Sequence, residues 1–275
     1  MTTMFGSGDP DKYYWSDASG NATEVDKLYW VTNEVYAKEP AVVQTLYMVG
    51  RSNSGSLYSI DTSTGIATRG GRSLGFVPFA LGVAGGVMYS SSHEGFYSIN
   101  VDSSVATLIS ARANDWRGLA GIGDTLYGVR DAVRNLQTID VSNGTGTVVN
   151  SRLTNFGVTG INFLETLDLA PIGNTIYMIA NALDSRNNNF TALFGVDSST
   201  GRASRIGSNN LAVTSQFLLG LGAIGDTLYI TGWGDDALFT ISTTDGTLTR
   251  VGSARQFGVG ENFPSGLAAY PQATS

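Results

Sequence analysis

The sequence predicts an all-β fold assembled from one repeated four-stranded unit, and three observations predict it. A five-letter phrase recurs: GDTLY at 123–127 returns at 225–229, with near copies GNTIY (173–177) and GGVMY (85–89). After each phrase comes a second short segment ending in an acidic or polar turn, as in LYSIDTSTG (57–65) and LFGVDSSTG (193–201). Charged residues are only 14% of the chain while glycines number 35, so Gly, Ser, Thr and Asn carry the polarity. These are the residues of turns and of strands with one wet face.

The elements of one unit follow in order. Strand A is short, apolar and glycine-rich: LGVAGG (81–86), GLAGIG (118–123), LDLAPIG (167–173) and LGLGAIG (219–225). Glycine suits a strand whose backbone must approach its neighbours closely around an axis. Strands B (DTLYIT, 226–231) and C (ALFTIS, 237–242) alternate apolar and polar positions, as half-buried strands do. Strand D follows a Gly-containing turn, as in IATRGG (66–71), RASRIG (202–207) and TLTRVG (247–252). Tyr47, Tyr89, Tyr127, Tyr177 and Tyr229 mark the register at intervals of 38 to 52 residues. Four-stranded units of that period, repeated radially, make a β-propeller. GDTLY is then the A–B hairpin and the start of strand B, needed once per blade.

Five B–C–D sets occur, four of them with a preceding strand A. The fifth A strand is GLAAY (266–270) at the C-terminus, which is expected to pair with the B–C–D set at 44–72. Such a clasp removes the exposed edges of an open sheet. The predicted fold is five four-stranded blades closed by a C-terminal strand. The predicted domains are 1–40, an N-terminal β extension or half-blade, and 41–275, the propeller. YYWSDASGNATEV (13–25) resembles a C–D half-blade and KLYWVTNEVY (27–36) reads as one strand, so six blades are the alternative.

Composition narrows the function classes. Net charge is −7 and the only lysines are Lys12, Lys27 and Lys38, so the basic stripe of a nucleic-acid binder is missing. Without cysteine there is no disulfide and no thiol catalysis. The opening MTTMFGSGDPDKYYWSD has neither a basic start nor an apolar run, so no signal peptide is expected. No apolar run reaches membrane-spanning length. No cofactor, metal site or membrane insertion is expected.

The LY…ID…TG cadence over residues 41–270 resembles that of bacterial and viral propellers, and the five-blade count is similar to tachylectin-type lectins. The resemblance implies a propeller with ligand contacts on its loops. The lectin likeness implies carbohydrate binding as an alternative function.

Candidate site residues lie in the D–A and B–C connections, where a rigid scaffold leaves loops free to vary. Four of the five aligned D–A connections carry an arginine at one place, Arg72, Arg112, Arg152 and Arg255, where the connection at 207–217 has Asn209 or Asn210. Each connection then offers an aromatic: Phe76 or Phe79, Trp116, Phe156 or Phe163, Phe217, and Phe257 or Phe263. One reading is a circle of guanidinium groups and rings at the channel mouth, suited to an acidic sugar, phosphate or carboxylate. The other is architectural, with each Arg paired within the scaffold and each ring wedged between blades. Long insertions at 150–167 and 179–191 offer Arg186 and Phe190, and GWGDD offers Trp233, Asp235 and Asp236 for a sugar ring and its hydroxyls, against a solvated turn. His93, the only histidine, reads as a turn residue, with no facing Ser and orienting acid evident. No catalytic residue is assigned.

The expected function is therefore a non-enzymatic structural or binding propeller. Its expected setting is a surface, tail or capsid-associated component of a phage or virus particle, made in the cytoplasm and working on the virion or an extracellular surface. The expected partners are other subunits, or a second copy through residues 1–40, and a receptor or host glycan. A soluble lectin is the alternative. A propeller hydrolase or lyase ranks third, for want of a cluster of acids and a placed histidine.

Overall fold

The computed structural model describes residues 44–51, 54–111, 115–130, 133–208, 210–211, 220–232, 237–253, 255–260 and 264–271, and the backbone of five strands within residues 3–37. The chain divides into two units, residues 1–43 with 274–275, and residues 44–273.

In the first unit, β1 (Thr3–Gly6), β2 (Tyr13–Ser16) and β3 (Ala22–Val25) form a three-stranded antiparallel sheet. β4 (Leu28–Val31) and β5 (Glu34–Ala37) form a separate hairpin in which Val31 pairs with Glu34. Segment 27–36 was expected as one strand; instead it folds back on itself. None of the five strands joins a four-stranded sheet, so the six-blade alternative is not realised.

The second unit is five four-stranded antiparallel blades. Blade 1 runs, from the inside out, β25 (Pro264–Pro271), β6 (Gln44–Gly50), β7 (Ser56–Ile60) and β8 (Ala67–Ser73). Blade 2 is β9 (Ala80–Ala84), β10 (Val87–Ser91), β11 (Gly95–Asn100) and β12 (Val105–Ala111). Blade 3 is β13 (Trp116–Ile122), β14 (Thr125–Arg130), β15 (Val133–Asp140) and β16 (Thr145–Val148). Blade 4 is β17 (Asn162–Ile172), β18 (Thr175–Leu183), β19 (Asn189–Asp197) and β20 (Ala203–Arg205). Blade 5 is β21 (Leu221–Ile224), β22 (Thr227–Gly232), β23 (Ala237–Ile241) and β24 (Leu248–Arg250). The inner strands touch in the cyclic order β9, β13, β17, β21, β25 and back to β9. The clasp forms as expected: Leu267 pairs with Met48 and Ala269 with Leu46.

Among the described residues the core is divided into five apolar clusters, each filling one junction between neighbouring blades, for example Leu167, Ile179 and Leu193 of blade 4 against Leu221, Leu228 and Ile230 of blade 5. Stability is thus distributed around the ring, with every interface depending on the two blades beside it.

The repeated phrases are turns with fixed backbone needs. In GDTLY the glycine holds a positive φ, 57° at Gly123 and 54° at Gly225, as the first central residue of a tight two-residue hairpin requires. The C–D turns repeat a second device. Asp61, Asp140 and Asp197 each accept N–H bonds from the residue two positions on, Ser63, Ser142 and Ser199. In blade 2, Asn100 accepts instead from Ser103, three positions on.

Those hydrogen bonds favour the ionised carboxylates. Ser63 and Thr64 hold Asp61 down to about 2, and Asp140 and Asp197 are lowered first by their serine hydroxyls. A carboxyl lowered in the folded state supports the fold above its unfolded value and loses that support as pH falls through the folded one. The melting temperature should therefore drop as pH falls from about 4 to about 2. Asn100 already performs the turn without charge. The combined Asp61→Asn, Asp140→Asn and Asp197→Asn variant should flatten that drop, with little change at neutral pH, as read by thermal scans across the acid range.

Candidate functional site

At the axis lies a residue that the apolar reading of strand A passed over. Asp168 stands on β17 where the other inner strands have Ala80, Gly118, Gly220 and Gly266. A β-bulge between Thr166 and Asp168 re-aims its side chain. The carboxylate is fully buried and accepts the N–H of Leu169 (2.9 Å), Leu221 (2.7 Å) and Leu267 (3.3 Å), with a further bond from Leu119. Four inner strands thus donate to one side chain. A Cβ at Gly118 would meet Leu169 at under 3 Å, and one at Gly220 would meet Gly266 equally closely. The axis therefore has room for one carboxylate, and the glycines make that room. Burial pushes the Asp168 carboxyl well above the ordinary carboxylate range, while the four N–H donors pull the other way.

Above this collar, among the A–B turns, opens an axial cavity of about 350 Å³. It shares Leu119, Leu169 and Leu267 with the collar and is otherwise lined, among the described residues, by small and aliphatic residues and Gln44. A ligand there would find backbone and little else to fix its orientation.

The circle expected at the D–A connections does not form as drawn. Arg72 belongs to β8, the outermost strand of blade 1, and is exposed; Arg152 and Arg255 are exposed a few residues beyond the outer strands β16 and β24. A D–A connection starts at a blade's rim and ends at the axis, so an arginine early in it lies at the perimeter. Arg112 lies outside the described residues, as do Trp233, Asp235 and Asp236.

The expected ligand-facing aromatics are wedges instead. Trp116, Phe156 and Phe257 are 0% exposed. The Trp116 indole N–H donates to Gly144 O at 3.3 Å, and its ring packs on Gly128 and Gly146. Phe156 meets Phe163 edge-on at 5.2 Å, inside the junction of blades 3 and 4. Phe257 fills the junction of blades 5 and 1 beside Tyr58, Ile60 and Leu238. Both phenylalanines sit in the left-handed region, at φ 53° and 51°, a strain of about 1–2 kcal/mol that packing offsets. Phe156→Ala and Phe257→Ala should each cost about 3–5 kcal/mol. The corresponding glycine variants, which relieve the φ strain, should be no worse than alanine in urea unfolding.

Insertion 179–191 is strand rather than loop. β18 and β19 run nine residues each and close at 184–188, where Asp184 accepts the N–H of Arg186 (2.8 Å) and of Asn188 (2.9 Å). Arg186 is exposed at the tip. Phe190 is buried under Arg205, whose guanidinium lies 4.6 Å from the ring centroid.

A different cluster does assemble on the B–C and D–A side, at the junction of blades 1, 2 and 3. Phe79, 4% exposed, precedes β9 and is fixed by its N–H bond to Ser91 O at 2.9 Å. The Arg117 guanidinium lies 4.7 Å and that of Arg51 5.1 Å from its ring centroid. Arg117 is the extra residue of a bulge in β13, which lets Trp116 stay in the core while Arg117 half emerges. His93 meets the edge of Phe79 at 4.4 Å, and its Nδ1 is 3.1 Å from Asp115 Oδ2. An acid therefore does orient the histidine, from the next blade's connection. The neighbouring hydroxyls are engaged: Ser91 Oγ donates to Trp116 O, and Ser92 Oγ accepts from Glu94 N–H. Burial, then the like charge of Arg117, lowers the Arg51 pKa.

Arg51 and Arg117 were missed because the alignment favoured the arginine shared by the connections. The signal present was Arg117 beside Trp116 in DWRGL (115–119). For Asp168 the signal was a single acid in an otherwise apolar strand. Among the described residues no group of three or more His, Asp or Glu side chains is placed to hold a metal ion, and no helix is long and apolar enough to cross a membrane.

No protein-family model and no curated protein matches the sequence. Solved structures of similar shape include a chain from a nidogen/laminin complex, 12% identical at a TM-score of 0.49, covering 83% of this chain and 98% of its own. Another is a Bacteroides caccae protein of unknown function solved at 1.35 Å, 10% identical at a TM-score of 0.43, covering 84% of this chain and 100% of its own. Five four-stranded blades, a cyclic contact of inner strands and a two-ended clasp make residues 44–273 a five-bladed β-propeller.

Proposed function

We propose that the chain is a non-enzymatic interaction module whose working surface is the face of the B–C and D–A connections. The observation that carries this is the difference between the two faces. The A–B and C–D turns repeat the same hydrogen-bonded devices from blade to blade, as scaffolding does. The opposite face varies: it bears the nine-residue hairpin strands of blade 4 and the Arg51–Phe79–Arg117–His93 cluster of blades 1 to 3. Variation on a rigid scaffold is where recognition resides.

The setting proposed is an assembled particle, a phage or virus component at a virion or extracellular surface, with residues 1–43 as the element that docks on a neighbouring subunit. Support comes from the β-structure those residues form by themselves. A lectin is less well supported, since the five blades are unequal and the described aromatics of the D–A connections are buried. Light scattering on the full chain and on residues 44–275 tests the assembly role. Self-association of the full chain with a folded monomer for the truncated one is the expected result. Monomers in both cases would remove residues 1–43 as an assembly element.

A further inference from the structure

In a chain of net charge −7, two guanidinium groups share one buried ring. We propose that Arg51 and Arg117, stacked on Phe79 at the junction of blades 1 to 3, bind the side-chain carboxylates of an acidic segment of a protein partner. The proposal rests on the interaction-module reading above and names the ligand class for its face.

Three observations converge. Stacking on Phe79, itself held by the Ser91 carbonyl, restricts both arginines before any ligand arrives, so less rotamer entropy is lost on binding. Arg51 is partly buried and meets no carboxylate among the described residues, and the like charge of Arg117 acts on it. Asp115, in the connection that leads to Arg117, is bonded to His93. An incoming carboxylate would relieve the repulsion between the arginines and accept from a planar fork of donors.

The same geometry selects among anions. A sugar acid is normally held by an exposed ring beneath its apolar face. Here Phe76, Phe79 and Trp116 are all buried, and the face of Phe79 is taken by guanidinium. Charge without a stacking platform suits a flexible acidic peptide better than a uronic acid.

The test uses the full chain. Hexaglutamate, hexalysine and trigalacturonate, together with arrays of neutral peptides and glycans, are presented to the native protein and to Arg51→Met, Arg117→Met and Arg152→Met. Hexaglutamate should bind the native protein, weaken with added salt, and lose about tenfold or more in affinity on either of the first two changes. Arg152→Met, an exposed rim change, should leave binding as it was. Thermal melts accompany each variant; if Arg117→Met disturbs the fold, Arg51→Met decides alone. Absence of hexaglutamate binding, or binding indifferent to Arg51→Met, overturns the proposal. Trigalacturonate bound through these arginines while hexaglutamate is silent overturns the peptide assignment. If another probe binds and hexaglutamate does not, the interaction-module reading stands and this one falls. If every probe is silent, both fall.

Discussion

Asp168→Ala is expected to lower stability by about 3–5 kcal/mol, a fall in melting temperature on the order of 10 °C for a chain of this size. The change leaves the N–H groups of Leu119, Leu169, Leu221 and Leu267 pointing at the buried space the carboxylate filled. Asp168→Asn keeps the volume but turns an NH₂ towards donors, so it should be destabilising as well, though less so. Asp168→Glu should fail for lack of room beside Gly118 and Gly220. Formate, which offers the same two oxygens, should raise the melting temperature of the alanine variant and leave the native protein unchanged. If the alanine variant melts like the native protein, the collar is not a structural centre. The pH dependence has the opposite sign from that of the surface turns. A carboxyl raised in the folded state contributes fully below its unfolded value and loses that contribution as pH rises through the folded one. Stability followed as pH rises above the ordinary carboxylate range should fall in the native protein and not in Asp168→Asn.

Removing residues 264–275 is expected to abolish the monomeric propeller. β25 is the inner strand of blade 1, so its loss bares the hydrogen-bonding edge of β6 and uncovers Leu46 and Met48, both 0% exposed in the closed ring. It also takes Leu267 from the Asp168 collar and Ser265, whose Oγ donates to Pro78 O in the connection to blade 2. An open edge beside an uncovered apolar face pairs with whatever strand is available. Light scattering should show aggregate or strand-exchanged oligomer. Adding the missing strand as a separate peptide should restore part of the monomer. A truncated chain that stays monomeric with native melting behaviour would mean that closure contributes little.

The blade count, the clasp and the strand order were legible because each rests on local chemistry repeated along the chain. Gly123 and Gly225 need positive φ, Asp61, Asp140 and Asp197 cap their own turns, and alternating strands need a partner on one face. These demands are satisfied within a few residues, so they leave a pattern in the sequence. The length of β18 and β19 was less legible, because an insertion that extends two paired strands looks the same in one dimension as a loop.

What only the tertiary structure decided is which side chains meet across blades. Phe156 and Phe257 occupy the same place in two connections, and nothing local says whether a ring in a connection faces solvent or the next blade; burial in the junction decides it. Arg51, Phe79, His93 and Arg117 come from three blades and share no spacing. Asp168 gathers amides from four inner strands that are up to about 150 residues apart in the chain, and its neighbours matter there as glycines, by what they leave empty. By itself the sequence determined a ring of five blades and how it closes. Folding the ring determined what lies at its centre and at its working face, because closure brings distant residues together and local hydrogen bonds do not encode those meetings.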